Sequence, residues 1–221
     1  MGNSRKEDAV KKKMWNDNPK QWKIVFEEAW KAFCCGSIPI GAALFDNNGD
    51  LIISDRNRSC EAGTVNREIS HAEANVLRRL DTDRYNSRET VLYTSMEPCP
   101  MCMGMILMGH IGEVHYAAAD SYCGMVHLTE TDAYYKGKHM KCVREGGEKE
   151  LFQLTIQSYN ELRFIDNGAS DAVVSLFAET NPTAVETAKK LYEDKMLDRL
   201  VKEGASCSDV YDQIMRSARI G

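Results

Sequence analysis

The sequence predicts an α/β protein: a three-layer α/β/α arrangement around a mixed central sheet of about five strands, with an extra C-terminal helical segment. Three observations carry this. Short apolar runs suited to interior strands recur between residues 40 and 119. Segments with helix-start chemistry fall between them, and strand alternating with helix implies helices on both faces of a sheet. From about residue 170 the pattern turns helical.

The elements follow in order. Residues 1–18 read as a polar, basic N-terminal arm carrying Lys11, Lys12 and Lys13. Pro19 suits the first position of a helix with Asn18 as its cap. Trp22, Val25, Phe26, Ala29, Trp30 and Phe33 then recur at helical spacing, and Gly36 ends the segment. "IGAALFD" and "DLIISDRN" are two strands around "NNG", a turn whose residues tolerate positive φ. "TVLYTSM" and "EVHYAAA" read as interior strands, and "ELFQLTIQ" (150–157), alternating at Phe152, Leu154 and Ile156, as a fifth. "NPTAVETAKKLYEDKMLDRLVKEG" is a helix capped by Asn181, with Pro182 first and Gly204 just past its end. A last helix runs through "SDVYDQIMRSAR". Residues 19–160 thus form the main domain and 161–221 a C-terminal helical extension.

Composition bounds the function. At 221 residues the chain is long enough for one domain and an elaboration. A net charge of −5 argues against a broad nucleic-acid-binding surface. No apolar run approaches the roughly 20 residues of a membrane helix, and the basic N-terminus lacks the apolar stretch of a secretory signal. Lys6 breaks the myristoylation pattern that Gly2 would open. A cytoplasmic chain is expected. There, eight cysteines are metal ligands or buried small hydrophobes rather than disulfides. Cys34, Cys35, Cys60 and Cys207 have no partner at ligand spacing and are expected to be packing residues.

Cys99 and Cys102 differ, because they sit where a strand ends and Pro98 opens a helix. Free N–H groups and the dipole at a helix start stabilise thiolate, the form that binds zinc. His71, following Ser70 as a plausible N-cap, is the natural third ligand. One imidazole and two thiolates leave a tetrahedral position open, the catalytic rather than the structural pattern for Zn2+. Glu73, two residues past His71, then has a role as the base that takes a water proton. A rival arrangement closes the site with Cys99, Cys102, Cys123 and His127 as a structural zinc-binding module. His110, His115 and His127 otherwise read as structural or surface residues.

His-x-Glu followed by Pro-Cys-x-x-Cys resembles the zinc-dependent cytidine/deoxycytidylate deaminase superfamily. "IPIGAALF", "HAEANVL" and "LYTSMEPCPMCMGMILMGHIGEVHYAAAD" fall in the order that family uses, as does Gly124, over about residues 20–135. The resemblance implies a cytidine-deaminase-like fold, a zinc deaminase domain over 19–160 and hydrolysis of an exocyclic amine, with Glu73 relaying protons. It also implies substrate contact by Asn57, and backbone N–H groups near Ala72 and Cys99 completing the pocket. The x2 spacing of the cysteines disfavours the riboflavin-pathway deaminases. "HAEAN" is similar to deoxycytidylate deaminases, and "TSMEPCPMC" to guanine deaminases and tRNA adenosine deaminases. The leading expectation is a small nucleobase or nucleoside, first an aminopurine such as guanine. A tRNA adenosine and a cytosine- or deoxycytidylate-type substrate are the alternatives. A tRNA would need a basic approach surface, and only the arm through Lys20 and Lys23 is notably basic. An extension acting as a lid would suit a small substrate. "MCMGMILMG" is apolar nearly all round, which predicts a helix buried on every side. One side would lie on the sheet and the other against the C-terminal helices or a second subunit; the resemblance favours a homodimer.

Overall fold

A computed structural model describes residues 14–218; of the arm expected over residues 1–18, residues 1–13 lie outside them, and Trp15–Asp17 form a 3-10 turn whose Trp15 N donates to Asp212 Oδ1 at 2.9 Å. The first long helix, α1 (Lys20–Cys34), buries Trp22, Val25, Phe26, Ala29, Trp30 and Phe33, the stripe its 3.6-residue spacing marks out. Asn18 does not cap it. Pro19 stands at the N-cap position, and Asn18 Nδ2 donates instead to Trp15 O at 3.4 Å. After Gly36, at φ 75°, the chain enters the hairpin β1 (Gly41–Phe45) and β2 (Leu51–Arg56). Gly41 is required here: a Cβ would collide with Val25 O and Ala29 N of α1, so only glycine lets helix and strand approach this closely.

The sheet adds β3 (Val91–Met96), β4 (Glu113–Ala118) and β5 (Lys141–Arg144) in the order β2-β1-β3-β4-β5. β1 pairs antiparallel with β2 and β3, whereas β3–β4 and β4–β5 are parallel, so the sheet is mixed. Parallel neighbours need crossovers. α3 (Pro100–Met108) joins β3 to β4, and the short α4 (Leu128–Thr131) and α5 (Ala133–Lys136) lie between β4 and β5. α2 (Ala72–Leu77) lies between β2 and β3. Alternation along β1 divides the core. Ala42 and Leu44 face a cluster with Ala72, Val76, Met103 and Ile106 of α2 and α3. Ala43 and Phe45 face the larger cluster with α1.

The fifth strand is not the 150–157 run. That run belongs to α6 (Gly147–Asp166), whose residues Glu150 to Asn160 are all buried. Helical periodicity vanishes because α6 is covered on one side by β3 and β4 and on the other by later helices. Its polar residues are inside, not solvated: Gln153 Nε2 donates to Pro39 O at 2.8 Å and Thr155 Oγ1 to Ala184 O at 3.4 Å. Polar–apolar alternation therefore carries no information about exposure there.

Beyond α6 come α7 (Ala172–Thr180), α8 (Pro182–Glu193), α9 (Met196–Lys202) and α10 (Cys207–Ser217). Asn181 caps α8, accepting from Ala184 N. The helix expected to run to Gly204 is broken at Lys195, in the left-handed conformation at φ 49°. Aromatic rings hold this layer down: Phe152 lies 4.8 Å from Phe26 and 4.9 Å from Tyr211, between centroids. The C-terminal helices thus pack on the α1 side and leave the outer face of α3 open. That helix is not buried all round, since Met108 is 65% exposed. Cys34, Cys35 and Cys60 are exposed as well, contrary to a packing role, whereas Cys207 is buried.

Candidate metal and substrate site

The site lies at the carboxyl end of β3, where α3 starts. Cys99 is the N-cap of α3 with Pro100 first in the helix, so Cys102 follows within the first turn. His71 is itself the N-cap of α2. Ser70 is not; its Oγ donates to Asn66 O at 2.7 Å, and Asn75 Nδ2 donates to Ser70 O at 3.3 Å and Arg56 O at 2.9 Å, tying the long β2–α2 loop to the helix. Two helix starts thereby converge. His71 Nδ1 lies 3.5 Å from Cys99 Sγ and 3.6 Å from Cys102 Sγ.

These separations test the metal. Tetrahedral bonds of about 2.0–2.1 Å to nitrogen and 2.3 Å to sulfur place the two atoms about 3.6 Å apart. The residues therefore fit zinc, which His71, Cys99 and Cys102 would hold. Among the described residues this is the only group of three His, Cys, Asp or Glu side chains within ligand reach, its atoms lying within 4.8 Å of one another. The four-ligand rival is not assembled: Cys123 Sγ donates to Asp120 Oδ2 at 3.2 Å, and His127 is exposed. His110 is exposed too, and His115 stacks on Tyr93 between Glu113 and Glu145.

The electrostatics suit a cation. Hydrogen bonds, foremost from Cys102, pull the Cys99 thiol down to about 4, with burial opposing. Cys102 is pushed far up, first by the Cys99 sulfur and then by burial, so it keeps its proton until a cation displaces it. His71 is raised, foremost by its hydrogen bond with Cys99. Glu73 is 2% exposed; burial raises its pKa, as expected of a carboxyl moved out of water. It accepts from Thr94 Oγ1 at 2.9 Å and from Cys102 Sγ at 3.4 Å.

A cavity of about 230 Å³ opens onto this cluster, and His71, Glu73, Cys99 and Asn57 all line it. Ala72 does not; its side chain is buried under α2, and what it offers a ligand is the N–H at the first position of that helix. Sequence reasoning missed the rest of the wall. Gln157 and Glu161 of α6 and Val173 and Phe177 of α7 close one side, and the strand reading of 150–157 concealed the first two. Glu97 was legible only as part of the motif. Its carboxylate accepts from Asp120 N at 3.1 Å and Val126 N at 3.0 Å, and a Cβ on Gly124 would collide with it. That glycine lets Glu97 staple the loop after β4 beneath the site. Of the buried polar atoms without a partner among the described residues, two belong to residues lining the cavity, Asn57 Nδ2 and Gln157 Oε1, each costing about 1–3 kcal/mol unless a ligand or water satisfies it.

Residues 16–118, which include His71, Glu73, Cys99 and Cys102, match the family model described as the cytidine and deoxycytidylate deaminase zinc-binding region. The match covers a little under half of the chain. Over 102 residues the chain is 36% identical to the tRNA-specific adenosine deaminase of Bacillus subtilis, covering 44% of this chain and 60% of that protein. Over 82 residues it is 35% identical to the guanine deaminase of Bacillus subtilis, covering 36% and 50%. The chain thus spans less than two thirds of either relative's length. A solved structure from work on A-to-I editing by tRNA deaminases at the wobble position of transfer RNA superposes with a TM-score of 0.49. It is 26% identical and covers 62% of this chain and 97% of its own. The zinc-binding region ends before β5, so α6 and α7, which wall the cavity, lie outside it. No helix among the described residues is long and apolar enough to cross a membrane.

Proposed function

We propose that the protein is a hydrolytic deaminase that replaces an exocyclic amine of a nucleobase or nucleoside, first an aminopurine such as guanine, with a carbonyl and releases ammonia. The observation that carries this is the spacing of His71 Nδ1, Cys99 Sγ and Cys102 Sγ with a buried carboxylate in contact with one of them. Zinc held there would supply a Lewis acid with an open position that makes water a nucleophile near neutral pH.

The chain's own residues supply orientation and proton transfer. Glu73, fixed by Thr94 and raised by burial, takes a proton from the attacking water and delivers it to the ring nitrogen. The water oxygen bonds to the ring carbon bearing the amine. Glu73 then takes the remaining hydroxyl proton and passes it to the amine. The C–N bond breaks, ammonia leaves and the carbonyl forms. Asn57 holds the substrate through Nδ2, its Oδ1 being occupied by Ser59 N at 2.9 Å. The backbone N–H groups near Ala72 and Cys99 complete the pocket.

The unit responsible is residues 19–160, with 161–221 as an appended helical segment that walls the cavity. A place in purine metabolism and a cytoplasmic location accord with this chemistry and with eight free cysteines. A homodimer would cover the outer methionines of α3, Met108 among them. A tRNA adenosine substrate is the second reading, favoured by the 36% identity to a tRNA-specific adenosine deaminase. The test is ammonia release by the zinc-loaded protein from guanine, adenine and cytosine, their nucleosides and nucleotides, and an anticodon stem-loop. Release from at least one, abolished by Glu73→Ala, is expected; no release from any of them rejects the activity.

A further inference from the structure

We infer that Gln157 and Glu161, on the helix that follows the zinc-binding region, read the edge of the bound base remote from the metal ligands, and that they restrict the substrate to a free base. The inference rests on the deaminase reading and adds two residues to its site.

The two side chains lie four positions apart on α6, hence on one face, and both line the cavity. Gln157 Nε2 donates to Glu161 Oε1 at 2.8 Å. A carboxylate only accepts, so this bond fixes which end of the amide is nitrogen. The amide oxygen therefore stands as a buried acceptor with no donor among the described residues, on a residue only 6% exposed. Asn57, 1% exposed, presents the complement, an unpartnered Nδ2 donor. Its amide is fixed in the same way by Ser59 N donating to Oδ1. One wall thus lacks a donor and the other an acceptor. A ligand carrying both, a ring N–H and a ring nitrogen or carbonyl, satisfies the two at once.

Charge sharpens the selection. Glu73, Glu97, Asp120 and Glu161 line the cavity, and among the described residues no Lys or Arg does. A phosphate entering it meets carboxylates and no counter-charge. A second cavity does hold cationic residues, Arg88 and Lys138 with His110 and His139. It lies at the amino ends of β3, β4 and β5, opposite the metal ligands, and does not serve this site. The volume of about 230 Å³ is below the roughly 300–1,000 Å³ of clefts that hold drug-sized ligands. Ile38, Ile40, Val173 and Phe177 offer apolar walls to a flat ring. A free base has the ring N–H that a nucleoside has exchanged for its sugar, so the acceptors on α6 favour the base over the nucleoside.

Steady-state ammonia release from guanine, adenine and cytosine, from their nucleosides and 5′-monophosphates and from an anticodon stem-loop decides between these substrates, using the zinc-loaded full chain. A free base turned over with at least tenfold higher kcat/KM than its nucleoside is expected, with no release from the monophosphate or stem-loop. Gln157→Leu and Glu161→Gln should each raise KM for that base at least tenfold, with kcat changed less, and with zinc content and Tm as in the parent. Unchanged KM in both variants, or a monophosphate or stem-loop as the preferred substrate, overturns the assignment. Should Gln157→Leu fail to fold, Glu161→Gln decides alone. Calorimetric titration of the three bases into the zinc-loaded parent and variants separates this from the deaminase reading. If no ammonia is released from anything, tenfold weaker binding in the variants still supports the α6 subsite. Equal affinity, or no binding of any base, sinks it.

Discussion

Thr94 Oγ1 donates to Glu73 Oε1 at 2.9 Å, and both side chains are buried, at 0% and 2% exposure. The bond joins the middle sheet strand β3 to the first turn of α2, and so fixes the carboxylate from the sheet. Removing the donor while keeping the shape isolates that function. Thr94→Val is expected to lower kcat about tenfold by loosening Glu73, with KM and zinc content little changed. Steady-state kinetics with metal analysis checks it.

Glu73 touches Cys102 but is not a member of the metal cluster. Glu73→Ala should therefore keep stoichiometric zinc while turnover falls by about 10²–10⁴-fold, the usual worth of a general acid–base group. Retained activity would exclude the proton relay.

Cys99 and Cys123 both line the cavity, yet only Cys99 belongs to the ligand group. Cys99→Ala is expected to be purified without zinc. Cys123→Ala should carry a full equivalent, because its thiol is engaged with Asp120. Elemental analysis of the two proteins gives the answer, and the reverse result would restore the four-ligand structural site.

Phe152 is fully buried and bridges α1 and α10 through Phe26 and Tyr211. Phe152→Ala should destabilise the whole chain by about 3–5 kcal/mol, in a single urea transition if the C-terminal helices and the sheet share one core. A separate early transition for the helices would show that they form an independent unit.

Asp198 anchors α9 to α6, accepting from Tyr159 Oη at 2.5 Å and Arg163 at 2.7 Å. Burial acts to raise its pKa, but these hydrogen bonds and the guanidinium outweigh burial and leave it below the ordinary 3.8. A depressed carboxylate stabilises the fold above its unfolded pKa, and loses that contribution as pH falls through its folded value. The pair is partly exposed, so about 1 kcal/mol is the expected scale. Urea midpoints of the parent and Asp198→Asn should differ at pH 7 and converge below pH 4.

What the sequence decided alone was whatever is written locally. The hairpin at "NNG" and the Asn181 cap are set by turn and capping chemistry acting over a few residues, and the start of α3 by Pro100 in its first turn. So is the pairing of Cys99 with Cys102 within one helical turn, whereas His71 reaches them only because the starts of α2 and α3 converge. The tertiary structure decided what depends on burial from several sides. α6 buries Gln153, Thr155 and Gln157 beside Phe152 and Leu154, which erases the solvent-facing stripe that periodicity needs and makes the segment resemble a strand. For the same reason Gln157 and Glu161 were invisible as wall residues. Their place in the cavity wall with Asn57 depends on the packing of α6 against β3, β4 and α8, contacts that no local pattern records.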